Sequence, residues 1–302
     1  MTKITISIWL VLSSLTMYAQ DVDSLMQTLD QDSNEPVLSA FKSPKLVLLQ
    51  TTETQNDQNL TFWISHRFGD IGGDAGGSHT LFGLDGATDI HIGFDYGITD
   101  DLTIGIGRSR QNEAYNLQAK YRLLEQLEAN MPISLALFGQ SSFITRRENL
   151  PDEFAEESDR ISHFLQAIMA RRFSSSFSFM LSPGYLMRSC VAAPGDKEDL
   201  FVLGFGGRLK ITRSLSIIAD YMLVNAFGRP DDLATEYYNP LGIGLEIETG
   251  GHVFSLNFQN ATYITANNFI PETQKSWMDG GVRFGFTISR NFYLGPKDRT
   301  GN

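Results

Sequence analysis

The chain has 302 residues, of which 35 are acidic and 24 basic, and its formal net charge at pH 7 is −11. This charge argues against nucleic acid and anionic lipid surfaces as partners. The single cysteine, Cys190, excludes an internal disulfide and any paired-cysteine metal or haem site.

The first twenty residues have the form of an export signal. Lys3 provides a positive start, residues 4–15 are almost continuously apolar, and Ala19 closely precedes the acidic Asp21. An apolar run of about a dozen residues is too short for a spanning helix, which needs about 20, but suits a cleaved signal. We therefore predict that residues 1–20 are a signal peptide and that the protein is exported.

The next segment, residues 21–59, is polar and weakly patterned. Residues 21–34 are acidic and contain few side chains that can form a core. We predict a partly disordered periplasmic leader here. Residues 45–50 can form a short strand, but a spanning strand would break the parity of the strands that follow. The predicted place of residues 45–50 is therefore the periplasm or the mouth of a barrel.

From Leu60 onward large apolar side chains recur at every second residue. Ile90, Ile92 and Phe94 alternate with polar or small residues, as do the apolar residues between 115 and 123. A strand places such residues on one face, whereas a helix would spread them around its circumference. The predicted strands are residues 60–68, 89–98, 101–109, 113–123, 132–144, 161–173, 176–187, 199–211, 214–224, 239–248, 252–262 and 280–292.

Short and long connections alternate between these strands. Short periplasmic turns and longer outer loops are typical of outer-membrane barrels, and a closed barrel leaves no backbone group unpaired in lipid. The sequence thus predicts an all-β transmembrane antiparallel up-and-down β-barrel of about 12 strands at residues 60–294, in the outer membrane, with a tail at 295–302.

The phase of the alternation assigns polar residues to the lumen. Lys120 and Arg122 share one strand, and Asp89, His91 and Asp95 lie two strands earlier. If these rows face each other, they would set the width and the ionic preference of the channel. The full predicted lumen-lining set is Asp89, His91, Asp95, Asn116, Gln118, Lys120, Arg122, Arg208, Lys210, Asp220, Glu246, Glu248 and Arg283. Glycines such as Gly204 and Gly206 would relieve crowding inside a narrow barrel.

Several motifs resemble those of a known family. They include Ile64-Ser65-His66-Arg67-Phe68-Gly69, Phe94-Asp95-Tyr96-Gly97-Ile98-Thr99-Asp100 and Glu248-Thr249-Gly250-Gly251-His252. Together with Phe284-Gly285-Phe286 near the end, they resemble outer-membrane β-barrel proteins of unknown function from the Bacteroidetes, over about residues 40–294. The resemblance implies a single barrel domain and no activity.

An enzymatic interpretation finds little support. His66 and His163 share the phase of the apolar residues, so they are predicted on the outer face. Ser65 and Ser162 are sequence neighbours of these histidines and point the other way, although a serine of an adjacent strand can pair with either. No G-x-S-x-G motif is present. A lipid-face hydrolase is therefore a remote alternative.

The sequence also indicates no cofactor. The loop at 69–88 is rich in Asp and Gly and the loop at 148–159 is acidic, so both offer oxygen ligands for a divalent cation. Neither has a defined metal spacing, and solvated surface loops are the simpler interpretation.

Two function classes remain open. One is a narrow, porin-like channel or transport-associated barrel for small solutes. The other is a structural or docking barrel that binds a partner through its outer loops or its periplasmic leader. Interiors of eight-stranded barrels are filled, and those of about 16 strands hold water, so twelve strands allow both a narrow pore and a plugged barrel. The expected partners are outer-membrane lipid with small solutes or a periplasmic protein.

Overall fold

The structure is a computed structural model that describes residues 39–128, 130–149, 151–249 and 252–295. The strands β1 to β12 are Asn59–Asp70, Ala87–Gly97, Leu102–Ser109, Tyr115–Leu124, Ser134–Phe143, Ile161–Arg172, Phe177–Arg188, Leu200–Lys210, Leu215–Leu223, Leu241–Thr249, His252–Gln259 and Arg283–Tyr293. Each strand pairs antiparallel with its sequence neighbours, and β1 pairs with β12, which closes the barrel. The predicted twelve-stranded up-and-down barrel is confirmed, with every predicted boundary within three residues of the observed one.

The two faces of the wall differ as the alternation predicts. On β4, Leu117 is 60% exposed on the outer face, whereas its neighbour Asn116 is 3% exposed on the inner face. Large aliphatic side chains cover the outer surface of the other strands in the same way, among them Ile104 and Ile106. A continuous apolar surface of this kind is suited to lipid.

The two ends of the barrel carry connections of different length. At one end, here called the turn end, short links join β2 to β3, β6 to β7, β8 to β9 and β10 to β11. At the opposite loop end, residues 71–86, 144–160, 189–199, 224–240 and 260–282 form longer connections. Short 3-10 turns lie at Ser78–Thr80, Gln111–Glu113, Glu157–Arg160 and Asn225–Phe227, and helix α1 spans Ala266–Glu272. No helix among the described residues is long and apolar enough to cross a membrane.

Residues 39–58, here called the plug segment, lie inside the barrel. The main chain of this segment forms a tight hairpin, with an antiparallel bridge between Lys45 and Gln50 and a hydrogen bond from Leu46 N to Leu49 O. The expectation that residues 45–50 lie in the periplasm or at the barrel mouth is wrong. The parity argument excludes a spanning strand there, but it does not exclude a hairpin that enters and leaves through the same end. The predicted signal and residues 21–38 lie outside the described residues.

The hydrophobic core of the molecule also lies inside the barrel. Inward side chains of β5 to β9 form an apolar half of the lumen, which includes Phe138, Phe164, Ile168, Met180, Val202, Ile218 and Met222. The plug segment packs against this half with Phe41, Leu46, Val47, Leu48 and Leu49, all at most 5% exposed. The period-two pattern does not reveal this core, because apolar residues there occupy both faces of the central strands.

Candidate functional site

Two buried charges of the wall hold the plug segment by its main chain. Asp220 Oδ2 on β9 accepts hydrogen bonds from Leu48 N at 2.7 Å and Leu49 N at 3.0 Å. Lys120 Nζ on β4 donates to Pro44 O at 2.8 Å and to Glu53 O at 3.1 Å. These contacts fix the tip and the two arms of the hairpin. Hydrogen bonds to charged groups are the stronger class, at about 1.5–3 kcal/mol each.

Inward glycines of β8 and β10 form recesses for the apolar side chains of the plug segment. A Cβ atom at Gly206 would lie 2.7 Å from Leu46 Cδ1, and one at Gly204 would lie 2.9 Å from a methyl of Leu49. A Cβ atom at Gly242 would lie 2.6 Å from Val47 Cγ1. The small residues predicted to relieve crowding at 204 and 206 therefore make room for the plug segment.

The connection between β11 and β12, residues 260–282, enters the lumen from the loop end and is here called the cap loop. Asp89 Oδ2 accepts a hydrogen bond from Ile264 N at 3.0 Å, and Arg67 donates to Ala261 O at 3.2 Å. Arg283 donates to Asn260 O and forms an ion pair with Asp70. Phe269 and Ile270 of α1 join the core.

The plug segment and the cap loop meet in the middle of the barrel. Lys45 Nζ, in the plug segment, donates to Ile264 O at 3.2 Å and lies 5.9 Å from the centre of the Trp63 ring. Trp63 in turn stacks on His91 with ring centres 4.3 Å apart. The plug segment and the cap loop therefore fill the lumen from its two ends and contact each other directly.

The other residues predicted for the lumen lie on the inner face and mostly bind the wall itself, although Glu248 also pairs with Lys42 of the plug segment at 3.4 Å. Asp95 accepts from Gln118 Nε2 at 2.6 Å, and Asn116 contacts His91 Nε2 at 3.3 Å. At the turn end, Arg208 pairs with Glu246 at 2.7 Å and with Glu248 at 3.0 Å, while Lys210 is partly exposed.

The predicted arrangement of opposed charged rows is not what the structure shows. The plug segment lies against Lys120, which binds its main chain. Arg122 turns to the rim, where it pairs with Asp101 at 2.9 Å and with Glu125 at 3.6 Å. The prediction considered only side chains of the wall, so it assigned to facing charges the contacts that the plug segment makes.

Several residues that hold the plug segment or the cap loop in place were not identified from the sequence. Arg67 has the same phase as the inward Ser65, and this alternation was the signal that could have identified it. Arg229 and Asp196 lie in loops and Asn267 lies in the short helix α1, where no periodicity indicates orientation.

A cavity of about 400 Å³ opens above the cap loop at the loop end. Its walls come from the β3–β4, β5–β6 and β7–β8 connections and from α1, and they include Asn112, Arg146, Arg188, Asn267 and Glu272. The cavity lies at the end of the barrel opposite the plug segment's entry. Its floor is the cap loop that closes the lumen.

An ion-pair cluster stabilises the cavity floor. Asp196 pairs with Arg188 at 2.7 Å and with Arg229 at 2.6 Å, and Arg229 also donates to Pro271 O in α1. Burial alone would raise the pKa of Asp196, but the hydrogen bonds and charges of Arg229 and Arg188 outweigh burial and lower it. Burial raises the pKa of Glu272, and the charge of Arg188 offsets this only in part.

Three buried polar atoms of residues that line the cavity have no hydrogen-bond partner among the described residues. They are Asn267 Oδ1, Asn268 Nδ2 and Arg188 Nε. The other ends of the two amides are engaged, since Asn267 Nδ2 donates to Ser162 Oγ at 2.8 Å and Asn268 Oδ1 accepts from Asn112. An unpartnered buried polar group costs about 1–3 kcal/mol. Each of these three atoms has almost no accessible surface, so a ligand in the cavity would reach it only after a small shift of its side chain.

On the outer face, β5 and β6 bring Ser141 and His163 together. Ser141 Oγ lies 2.8 Å from His163 Nδ1, on the face covered by apolar side chains. The described residues show no carboxylate or amide on the other ring nitrogen of His163. This pair lacks the third group that orients the base in a hydrolytic triad.

The parts of the chain that the structure describes contain no group of His, Cys, Asp and Glu residues that could hold a metal ion. The acidic loops at 69–88 and 148–159 therefore bring no such set of ligands together within these residues.

The closed wall and its apolar outer face define a transmembrane β-barrel. The chain belongs to the family described as "Membrane bound beta barrel domain" (DUF5777), whose pattern matches residues 41–292. The predicted family of barrels without assigned function is thereby confirmed. The match begins at Phe41, so the family domain includes nearly all of the plug segment.

Among solved structures, the chain is similar to the NanC porin, with 7% identity, a TM-score of 0.46 and coverage of 78% of this chain and 100% of the other. It is also similar to the KdgM porin, with 7% identity, a TM-score of 0.44 and coverage of 78% and 99%. For the Acinetobacter baumannii outer membrane protein Omp33 the identity is 10%, the TM-score 0.41 and the coverage 80% and 100%. Similarity at this level carries no conclusion about function. No curated protein matches the sequence.

Proposed function

We propose that the chain is a non-enzymatic outer-membrane barrel that works with its lumen closed, as a docking barrel that binds its partner at the loop end. The observation that carries this proposal is the filling of the lumen from both sides by the plug segment and the cap loop. In this proposal the signal peptide directs export, the turn end faces the periplasm, and the leader at 21–38 remains available to a periplasmic protein.

Burial of apolar surface supports a lasting closure. Full burial of a Leu or Phe side chain contributes about 1.5–3 kcal/mol, and Phe41, Leu46 and Leu49 are all buried against the wall. Withdrawal of the plug segment would expose these side chains and the apolar half of the lumen to water. In a water-filled pore, the apolar half of the lumen would therefore face water unfavourably.

One observation favours a second candidate, a narrow channel for small solutes that opens when the plug segment moves. Among the described residues, His91 Nδ1, Gln166 Oε1, Asp220 Oδ1 and both side-chain polar atoms of Gln259 are buried without a hydrogen-bond partner. Each such atom costs about 1–3 kcal/mol, and water in an open lumen would satisfy it. These polar positions of the inner wall thus suit an aqueous state better than the apolar side chains of β5 to β9 do.

A reversible cross-link between plug and wall separates the two candidates. Leu46 lies against Gly206, so Leu46→Cys combined with Gly206→Cys, in a Cys190→Ser background, places the only two thiols of the chain at this contact. Conductance in planar bilayers is then measured for the oxidised and the reduced protein. The matched control is the Cys190→Ser chain without the added cysteines.

The docking barrel predicts that neither redox form conducts above the bare bilayer. A gated channel predicts conductance of the reduced form, which oxidation abolishes. Conductance that persists in the oxidised, cross-linked protein would contradict both, since the path would then bypass the plug segment.

A further inference from the structure

Most of the charged side chains in the walls of the loop-end cavity are already compensated, and the Asp159 carboxylate accepts a hydrogen bond from Glu156 N. Arg146 donates to Glu153 from both terminal nitrogens, and Arg188 lies between Asp196 and Glu272. An ionic ligand would have to displace one of these pairs. The compensated walls therefore favour a neutral ligand over a phosphate, a carboxylate or an amine.

The unpartnered atoms of the cavity residues include both hydrogen-bond acceptors and hydrogen-bond donors. Asn267 Oδ1 accepts hydrogen bonds, whereas Asn268 Nδ2 and Arg188 Nε donate them. A hydroxyl group is a small neutral group that both donates and accepts. A molecule with several hydroxyl groups therefore offers partners of both kinds to these side chains.

The size and the remaining lining agree with a small ring. Pockets for small molecules usually measure about 300–1,000 Å³, and this cavity, at about 400 Å³, is at the small end of that range. Ile161, Val191 and Pro271 supply apolar surface between the polar groups. Such a mixture suits a ring that carries C–H groups on its faces and hydroxyls at its edges.

We propose that this cavity binds a neutral, polyhydroxylated molecule of mono- or disaccharide size. The proposal rests on the proposed function, because it identifies the chemistry that the closed barrel would recognise at its loop end. The floor of the cavity is the cap loop, so an occupied site would also be coupled to the closure of the lumen.

Cys190 provides a reporter for this site. It is the only cysteine of the chain, it lines the cavity, and it is partly exposed. Burial and the charge of Glu153 raise the pKa of its thiol, so maleimide labelling is followed at mildly alkaline pH. The intact barrel is labelled in detergent with and without glucose or maltose, and with glucuronic acid and glucosamine as charged counterparts.

The expected result is a saturable slowing of Cys190 labelling by glucose or maltose, with weaker effects of both charged sugars. For a Kd of about 1 mM, protection should reach about nine-tenths of its maximum at about 10 mM. If neither neutral sugar slows labelling at that concentration, the proposal is overturned. Stronger protection by glucuronic acid would overturn the assignment of a neutral ligand.

A pair of variants tests the role of the amides. Asn268→Asp keeps the oxygen that accepts from Asn112 and removes the unpartnered donor, so it should weaken protection about tenfold, the usual scale for one lost hydrogen bond. Asn149→Asp adds the same charge at the exposed edge of the cavity and should change protection little. Equal effects of both changes would contradict the assigned contact.

The outcome for the ligand and the outcome for the closed barrel are separable. An intact chain that conducts would contradict the closed lumen and leave sugar protection of Cys190 standing. A chain that does not conduct, and whose Cys190 is unprotected by neutral sugars, would overturn the ligand class alone. Heat-modifiable migration on gels checks that each variant retains the folded barrel.

Discussion

Buried charged side chains of the barrel wall bind main-chain atoms of the plug segment and the cap loop. Asp220 and Lys120 hold the plug segment, and Asp89 holds the cap loop, in each case through peptide N–H or C=O groups. Such contacts depend on the path of the main chain and not on the identity of the side chains that follow it. Substitutions within the plug segment should therefore be tolerated at polar positions more readily than in the wall residues that hold it.

At the residue scale, Asp220→Ala should loosen the plug segment. The change removes the acceptor for Leu48 N and Leu49 N, so we expect a loss of about 1.5–3 kcal/mol for each hydrogen bond. Urea unfolding of the barrel in lipid vesicles measures the loss, and limited proteolysis from the turn end detects release of the plug segment.

The matched control for this change is Asp101→Ala at the turn-end rim. Asp101 pairs with Arg122 in an exposed position, where an ion pair contributes about 0–1 kcal/mol. Equal stability losses for the two variants, with no new cleavage in Asp220→Ala, would show that Asp220 does not anchor the plug segment.

At the scale of elements, the plug segment depends on the shape of the wall as much as on its charges. Gly206→Val should displace Leu46, because the added Cβ would lie 2.7 Å from Leu46 Cδ1 and 2.9 Å from Met180 Cγ. We expect a destabilisation of about 1–3 kcal/mol, which is typical of overpacking, and faster proteolysis of residues 39–58.

The control for Gly206→Val is the same change at the next residue of β8. Gly207 faces outward, and a Cβ atom there would have only Ser178 O nearby, at 3.8 Å. Gly207→Val should therefore leave both the stability and the proteolysis of the plug segment nearly unchanged. A larger effect at 207 than at 206 would mean that β8 does not receive the plug segment on its inner face.

The elements differ in how far the sequence predicts them. The twelve strands were predictable because their outward side chains are apolar and many of their inward residues are polar or small. A period of two therefore persists along the strands. Residues 46–49 are four consecutive apolar residues that are all buried, and such a run does not indicate which way each side chain points. Helix α1 spans seven residues and contains Pro271, so its sequence gives no helical period.

The candidate site was less predictable than the wall. The alternation of the strands placed Asp220 and Lys120 on the inner face, yet their partners are main-chain atoms that lie 67 or more residues away in the sequence. The cavity at the loop end is built from four connections, and its paired amides, Asn267 and Asn268, have no pattern in the sequence. Long-range contacts between irregular segments leave no periodic signal.

For the whole molecule, charged side chains on the outer face mark the limits of the apolar band. Arg108 lies toward the loop end, 5.7 Å from the ring centre of Tyr115, and Arg290 lies toward the turn end, 5.0 Å from that of Phe292. Arginine and aromatic side chains of this kind occupy the interfaces of membrane barrels. Between them the outer face of β3 and β4 is apolar, with Ile104, Ile106 and Leu117 exposed.

This band predicts a dependence on depth. Ile104→Arg places a charge near the middle of the band and should cost about 2–4 kcal/mol, whereas Leu123→Arg, at the turn end of β4, should cost about 0–1 kcal/mol. Both residues are about equally exposed, at 44%, so the comparison isolates depth from contact with the wall. Urea titration in lipid vesicles, read by heat-modifiable migration, measures both costs. Equal costs at the two positions would contradict a bilayer centred on Ile104, and recovery of the unmodified chain as a soluble protein would contradict the membrane location itself.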